Sequence, residues 1–355
     1  MRENNRVVFF GSGDFPVETF KLMIKSDDYK VVGLVTSKDR TVFGNKRLID
    51  IAKENEIPFY VPTNLKSNDF LEWLDSMKAD IFCVISYKFL PKEVLEKCHG
   101  LAFNVHASLL PYLRGAAPIN WAIRLGFKET GLTIFRLCDK IDCGSIISSH
   151  KVSIDDNETY GSLFRKLADL CVLVTDAMIT DYSNGKTVVP NVVQGMIPEE
   201  FSKLSVFHAP KLNTDNTRAT LYDLEEHLNG TSTIEIDRMI RSLAPNIGTT
   251  FELHIYDKSK PIHSDDFIKP LPSLIKTVIF KVYESEIAKD KNDHSFDDDI
   301  ITDWKNYFYI SSSKTEDDVI SVKKIQLPGK KILDIKEFLK GFQNFRNPSY
   351  EYKIN

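Results

Sequence analysis

Short, continuously apolar runs alternate with helical patterns through the first half of the chain. "RVVFF" (6–10), "YKVVGLVTS" (29–37), "ADIFCVISY" (79–87) and "GLAFNVHAS" (100–108) have the length and β-branched or aromatic content of buried strands. Between them, "FPVETFKLMIKS", "KRLIDIAKENE", "LEWLDSM" and "KEVLEKC" carry apolar residues at helical spacing. This order predicts an α/β, Rossmann-like fold, a mostly parallel sheet with helices on both faces. Two more strands are predicted in "GLTIFRLCD" and "GSIISSHKVSI", then one long helix over 159–183 that stops at Gly185.

The pattern changes after "VVPNVVQG". Residues 198–220 show no period and read as a linker. Helical patterns follow at "LYDLEEHL" and "STIEIDRMIRSL", then strand-like pieces "GTTFELHIY", "IKTVIFKVYE", "NYFYISSS" and "VISVKKIQL". They predict a smaller β-rich, OB-like barrel domain. The expected organisation is a first domain over 1–195, a linker over 196–220, a second domain over 221–345 and a tail over 346–355. Residues 284–303 hold eight acidic residues and two lysines and are expected to form a solvated loop inside the second domain.

Composition narrows the function classes. A length of 355 residues, 42% hydrophobic and 27% charged, suits an ordinary two-domain globular protein, and a net charge of −4 does not mark a nucleic-acid binder. Five cysteines without C-x-x-C indicate neither a disulfide framework nor a zinc site. No run of 18 apolar residues and no secretory signal or evident transit peptide is present, so no membrane partner is expected.

Ligands of parallel sheets bind beyond the carboxyl ends of the strands. The loops after Phe10, Ser37, Tyr87, Ser108 and Cys138 lie there. "FFGSGDFP" has two glycines of a dinucleotide fingerprint but Pro16 in place of the third, so it reads either as a tight turn or as a close backbone approach to a ligand. Asn104 and His106 are two apart on one strand and share a face, offering two N–H donors to a developing oxyanion. Asp139 and Asp142, in "LCDKIDCGSII", are candidates for the carboxylate that orients His106. No G-x-S-x-G elbow occurs, which favours direct transfer over a covalent intermediate.

The pattern N-x-H-x-S-L-L-P, then R-G-x-x-P, then D-x-G in "NVHASLLPYLRGAAP" and "DKIDCG" closely resembles the 10-formyltetrahydrofolate-dependent formyltransferases. "RGAAPINWAIRLGFKETGLTIFRL", "HAPKL" (208–212), "IDRMIRSLAPNIGTTFEL" and "GKKILDIKEFLKGF" are most similar to the branch that acts on methionyl-tRNA, with the resemblance running from about residue 6 to 342. It implies Asn104, His106 and Asp142 as the catalytic residues. It implies Ser108, Leu109, Leu110 and Pro111, with Tyr87, Phe89 and Leu90 of "SYKFLP", as contacts of a 10-formyltetrahydrofolate co-substrate, and no metal. The expected partner is initiator methionyl-tRNA, with Arg40, Lys46, Arg47, Lys323, Lys324, Lys330 and Lys331 as candidate contacts, in a monomeric mitochondrial protein. Cys143 replaces a common threonine and Lys88 a common glycine. Two other readings remain: a formyltransferase acting on a small amine such as a glycinamide ribonucleotide or an amino sugar, and a non-catalytic RNA-binding protein on the same fold.

Overall fold

The computed structural model describes residues 5–38, 43–138, 142–186, 188, 208–219, 232–262, 271–289, 299–311, 318–342, 346–347 and 349–354. It divides into two compact units: Met1–Ala122, Phe127–Asp155 and Ser162–Lys211 make the first; Ile123–Gly126, Asp156–Gly161 and Leu212–Asn355 make the second.

The first unit is built on a seven-stranded sheet. Its strands are β1 (Asn5–Gly11), β2 (Tyr29–Val35), β3 (Phe59–Tyr60), β4 (Ile81–Ile85), β5 (Leu101–His106), β7 (Glu129–Arg136) and β8 (Ile146–Ser153), in the order β3-β2-β1-β4-β5-β7-β8. β3 to β5 run parallel, β7 is antiparallel to β5, and β8 is antiparallel to β7. β4 is buried at every residue, as a strand covered on both faces must be. One face packs Val8, Phe10, Phe82 and Val84 against Phe70 and Leu74 of α3 (Asn68–Met77). On the other, Phe9 meets Phe20 of α1 (Val17–Met23) at a centroid distance of 5.1 Å. Tyr29 donates a hydrogen bond of 2.5 Å to Asp176 of α6 (Tyr160–Ser183), and that helix ends in a turn with Gly185 at φ +81°. The connections are completed by α2 (Phe43–Glu54), α4 (Lys92–Leu95) and α5 (Pro118–Arg124). A separate two-residue parallel pair joins β6 (Arg114–Gly115) to β9 (His208–Ala209).

The second unit is an antiparallel, nearly closed barrel-like sheet. It contains β10 (Thr249–Ile262), β11 (Leu271–Lys289), β12 (Ile300–Thr302), β13 (Phe308–Ile310), β14 (Asp318–Gln326) and β16 (Tyr350–Ile354), ordered β12-β13-β14-β11-β10-β16, with β15 (Leu333–Asp334) beside β14. The two ends of that path approach each other, where the Ile354 N–H donates to Asp299 Oδ2 at 2.9 Å. Phe251 and Phe280 stack inside at 5.5 Å, with α7 (Thr233–Leu243) and α8 (Ile335–Gly341) adding Ile236, Ile240, Phe338 and Leu339. A capping box between Ser232 and Glu235 starts α7.

Two features differ from the sequence expectations. Residues 284–289, expected in the acidic loop, continue β11 in a backbone ladder with β14, where Glu284 and Glu286 face Lys324 and Lys323. Residues 350–354, expected in a tail, form β16 against β10, with Tyr352 and Ile354 pointing into the core. The helical pattern at 221–228 lies outside the described residues.

Phe251 is fully buried at the centre of the barrel. Phe251→Ala is expected to cost about 3–5 kcal/mol in urea unfolding, as for a large core truncation.

Candidate active site

The carboxyl ends of β1, β4 and β5 lie side by side, with Gly11 paired to Ile85 and Ile85 to Val105. Asn104 sits between Val84 and Phe135, and His106 lies opposite Thr133. Among the described residues the Asn104 side chain makes no hydrogen bond, so its amide is available to a ligand.

Both nitrogens of His106, which is 7% exposed, face defined groups. Nε2 lies 2.9 Å from the carbonyl oxygen of Leu113. A carbonyl only accepts, so Nε2 carries the hydrogen. Nδ1 faces Asp142 Oδ2 at 3.9 Å, an ion-pair separation if the ring is charged and too long for a hydrogen bond. With the Nε2 hydrogen committed to Leu113, Nδ1 is the ring atom left to serve a substrate.

Two left-handed residues bracket the ring. Leu113 (φ +56°) presents its carbonyl and Asp142 (φ +49°) its carboxylate. Such conformations cost about 1–3 kcal/mol each and persist where the surroundings fix them. At Asp142 the fixing group is the Gly115 N–H, which donates to Oδ2 at 3.0 Å. Gly115 in turn is paired with Ala209, whose carbonyl accepts from Ala116 N (2.9 Å) and Ala117 N (3.2 Å). The Trp121 indole donates to the Pro210 carbonyl at 3.0 Å. A piece of the expected linker thus braces the loop that holds the carboxylate. Asp139 lies outside the described residues.

The turn leaving β5 is held internally. Ser108 is buried and its hydroxyl donates to the Tyr112 carbonyl at 2.6 Å. Thr133 Oγ1 donates to the Ser108 carbonyl (2.7 Å) and accepts from Leu110 N (3.0 Å). Ser108, Leu109 and Leu110 line a cleft of about 430 Å³ with Tyr112, Leu113 and Phe127, above the Glu129–Lys151 ion pair on β7 and β8. Pro111 is half-buried in the same turn.

The loop after β4 takes a different course. Tyr87 packs edge-on against Phe10 at 5.7 Å, under the Lys88 ammonium. Its hydroxyl is buried without a partner among the described residues, and burial pushes its pKa up. Phe89 is 44% exposed, whereas Leu90 is part of the core. The "FFGSGDFP" glycines are accounted for as a turn: Gly13 (φ +82°) donates to Asn45 Oδ1 at 2.8 Å, and Gly44 is pressed onto the Gly13 backbone.

The candidate basic contacts separate by environment. Arg47 pairs with Glu18 (3.0 Å) and Asp14 (3.9 Å), Lys46 is exposed, and Arg40 lies outside the described residues. Lys323 and Lys324 pair across the strands with Glu286 and Glu284. Lys330 and Lys331 are exposed at a tight turn and have no ion pair among the described residues.

Residues 5–174 match the formyl transferase family, and residues 230–343 match its C-terminal domain. A methionyl-tRNA formyltransferase of Azobacteroides pseudotrichonymphae is 32% identical over 343 residues, covering 95% of each chain. The chain belongs to the methionyl-tRNA formyltransferase family. The enzyme of that name from Bacteroides thetaiotaomicron is 30% identical and covers 100% of this chain and 99% of its own. Among solved structures, WlaRD, a sugar 3N-formyl transferase, shares the fold at a TM-score of 0.58 and 16% identity, covering 92% of this chain and 99% of its own.

The geometry adds Leu113, Gly115 and Thr133, which no sequence pattern marked as site residues, to the expected Asn104, His106 and Asp142. The only available signal for the brace at 208–210 was the "HAPKL" resemblance. A Cβ on Gly115 (φ +116°) meets the Ala209 carbonyl at 2.7 Å. Gly115→Ala is expected to destabilise the unit by about 1–3 kcal/mol, read as a lower urea midpoint.

Proposed function

We propose that the chain transfers the formyl group of 10-formyltetrahydrofolate to the α-amino group of methionyl-tRNA, for translation initiation. The supporting observation is the combination of full-length kinship to enzymes of that name with an available Asn104 amide beside a His106–Asp142 pair.

The steps follow from the groups present. The amine nitrogen attacks the formyl carbon and the carbonyl oxygen becomes negative. The Asn104 amide donates to that oxygen, and His106, when protonated, adds Nδ1–H, since its Nε2–H is held by Leu113. The Asp142 carboxylate beside the ring takes the proton that the attacking nitrogen loses, directly or through water. Collapse breaks the bond between the formyl carbon and folate N10, which leaves as the amine after receiving, directly or through water, the proton held at Asp142. The turn at Ser108–Pro111 and the loop carrying Tyr87 and Phe89 flank the carboxyl end of β5 and are assigned to the folate; Leu90 supports that loop from the core. No residue is assigned to a metal.

The second unit is assigned to the tRNA. Lys330 and Lys331 are its best-placed phosphate contacts, because the charge of Lys323 and Lys324 is offset by neighbours on β11. The named relatives are bacterial and give the expected mitochondrial placement no support. In the described residues no helix is long and apolar enough to cross a membrane.

Asn104→Ala and His106→Ala are each expected to lower the transfer rate ~10²–10³-fold with the fold intact by circular dichroism. Near-normal rates in both would remove the catalytic assignment, and equal transfer to a free amino sugar or glycinamide would favour the small-amine reading. Lys330→Gln and Lys331→Gln are expected to reduce the slope of log tRNA affinity against log salt by about 0.7–0.9 each, more than the same changes at 323 and 324.

A further inference from the structure

We infer that Thr133 is a positioning residue for His106, acting through the backbone of the turn between Ser108 and Leu113. The inference deepens the proposed activity and rests on it for its kinetic part only.

Thr133 is fully buried on β7, directly opposite His106 on β5. Paired residues on adjacent strands share a sheet face, so its hydroxyl stands where the chain turns away from the end of β5. That single oxygen serves two backbone groups, the Ser108 carbonyl at 2.7 Å and the Leu110 N–H at 3.0 Å. Both are committed to a buried turn with no strand neighbour to satisfy them. The Ser108 hydroxyl carries the restraint onward to the Tyr112 carbonyl at 2.6 Å. The next residue, Leu113, is fully buried in a left-handed conformation and presents the carbonyl that receives His106 Nε2–H.

The chain of contacts begins and ends at the same strand pair. Thr133 fixes the start of the turn, the turn fixes the Leu113 carbonyl, and that carbonyl fixes which ring nitrogen bears the hydrogen. Gly131, two residues earlier on β7, keeps the space free: a Cβ there meets Leu109 Cδ2 at 2.7 Å and the His150 carbonyl at 2.0 Å. Valine is close to threonine in shape but lacks the hydroxyl, so it leaves both backbone groups buried and unpaired and lets the turn relax. Serine keeps the hydroxyl and loses only a methyl.

The test compares Thr133→Val with Thr133→Ser in the full chain. Nitrogen-15 NMR of the histidine rings reads the Nε2–H directly, without reference to activity. The unsubstituted chain and Thr133→Ser are expected to show His106 with a slowly exchanging, hydrogen-bonded Nε2–H; Thr133→Val is expected to lose it. In formyl transfer, Thr133→Val is expected to lower kcat by ~10-fold or more, with KM for methionyl-tRNA changed less than ~2-fold, while Thr133→Ser keeps most of kcat. An unchanged His106 signal in a folded Thr133→Val protein overturns the inference. So does a serine variant as impaired as the valine one. If Thr133→Val does not fold, the serine variant decides through the same two readouts. An NMR change without any measurable formyl transfer in the parent chain counts against the proposed activity and leaves the positioning of His106 standing.

Discussion

The placement of the site rests on the backbone ladder of β5. That strand is hydrogen-bonded on both sides, parallel to β4 and antiparallel to β7. A buried backbone group without a partner costs roughly 1–3 kcal/mol, so a slip of register would leave a row of groups exposed to that penalty. A slip of one residue would also turn Asn104 and His106 to the opposite face. The register aligns Val84 with Asn104 and Thr133 with His106, and the remaining geometry of the site is built on those two alignments.

Beyond the end of β5 the ladder stops, and side chains and turns take over its task. Thr133 and Ser108 hydroxyls satisfy backbone groups of the turn. Leu113 and Asp142 sit in conformations that non-glycine residues avoid, each pointing an oxygen at the same imidazole. The strain is held by groups distant in the chain, such as Gly115, itself paired with Ala209. Local strain concentrated around one ring, supported by a rigid sheet, is the arrangement expected where a side chain must keep one orientation while a substrate changes charge beside it.

The second unit shows how little a count of charges says about a surface. Residues 311–355 hold nine basic and six acidic residues, which suggests a phosphate-binding strip. The strand pairing of β11 with β14 places Glu284 and Glu286 against Lys324 and Lys323 and offsets two of those nine basic residues. Exposed pairs of this kind contribute little to stability, but they decide where net positive potential is left.

Much was determined by the sequence alone. Continuous apolar runs separated by helical periods gave the parallel sheet, because only a strand covered on both faces can be apolar throughout. Alternation put Asn104 and His106 on one side, and the family pattern supplied Asp142. The roles of Leu113, Thr133, Gly115 and Ala209 were not legible. Thr133 reads as an ordinary strand residue until β7 is laid antiparallel beside β5, and the Leu113 carbonyl is a backbone atom that no residue type announces. Periodicity reports which side of its own element a residue faces. Which nitrogen of His106 is free, and which lysines face a carboxylate, depends on partners 7 to 40 positions away, brought within hydrogen-bond reach only in the folded chain.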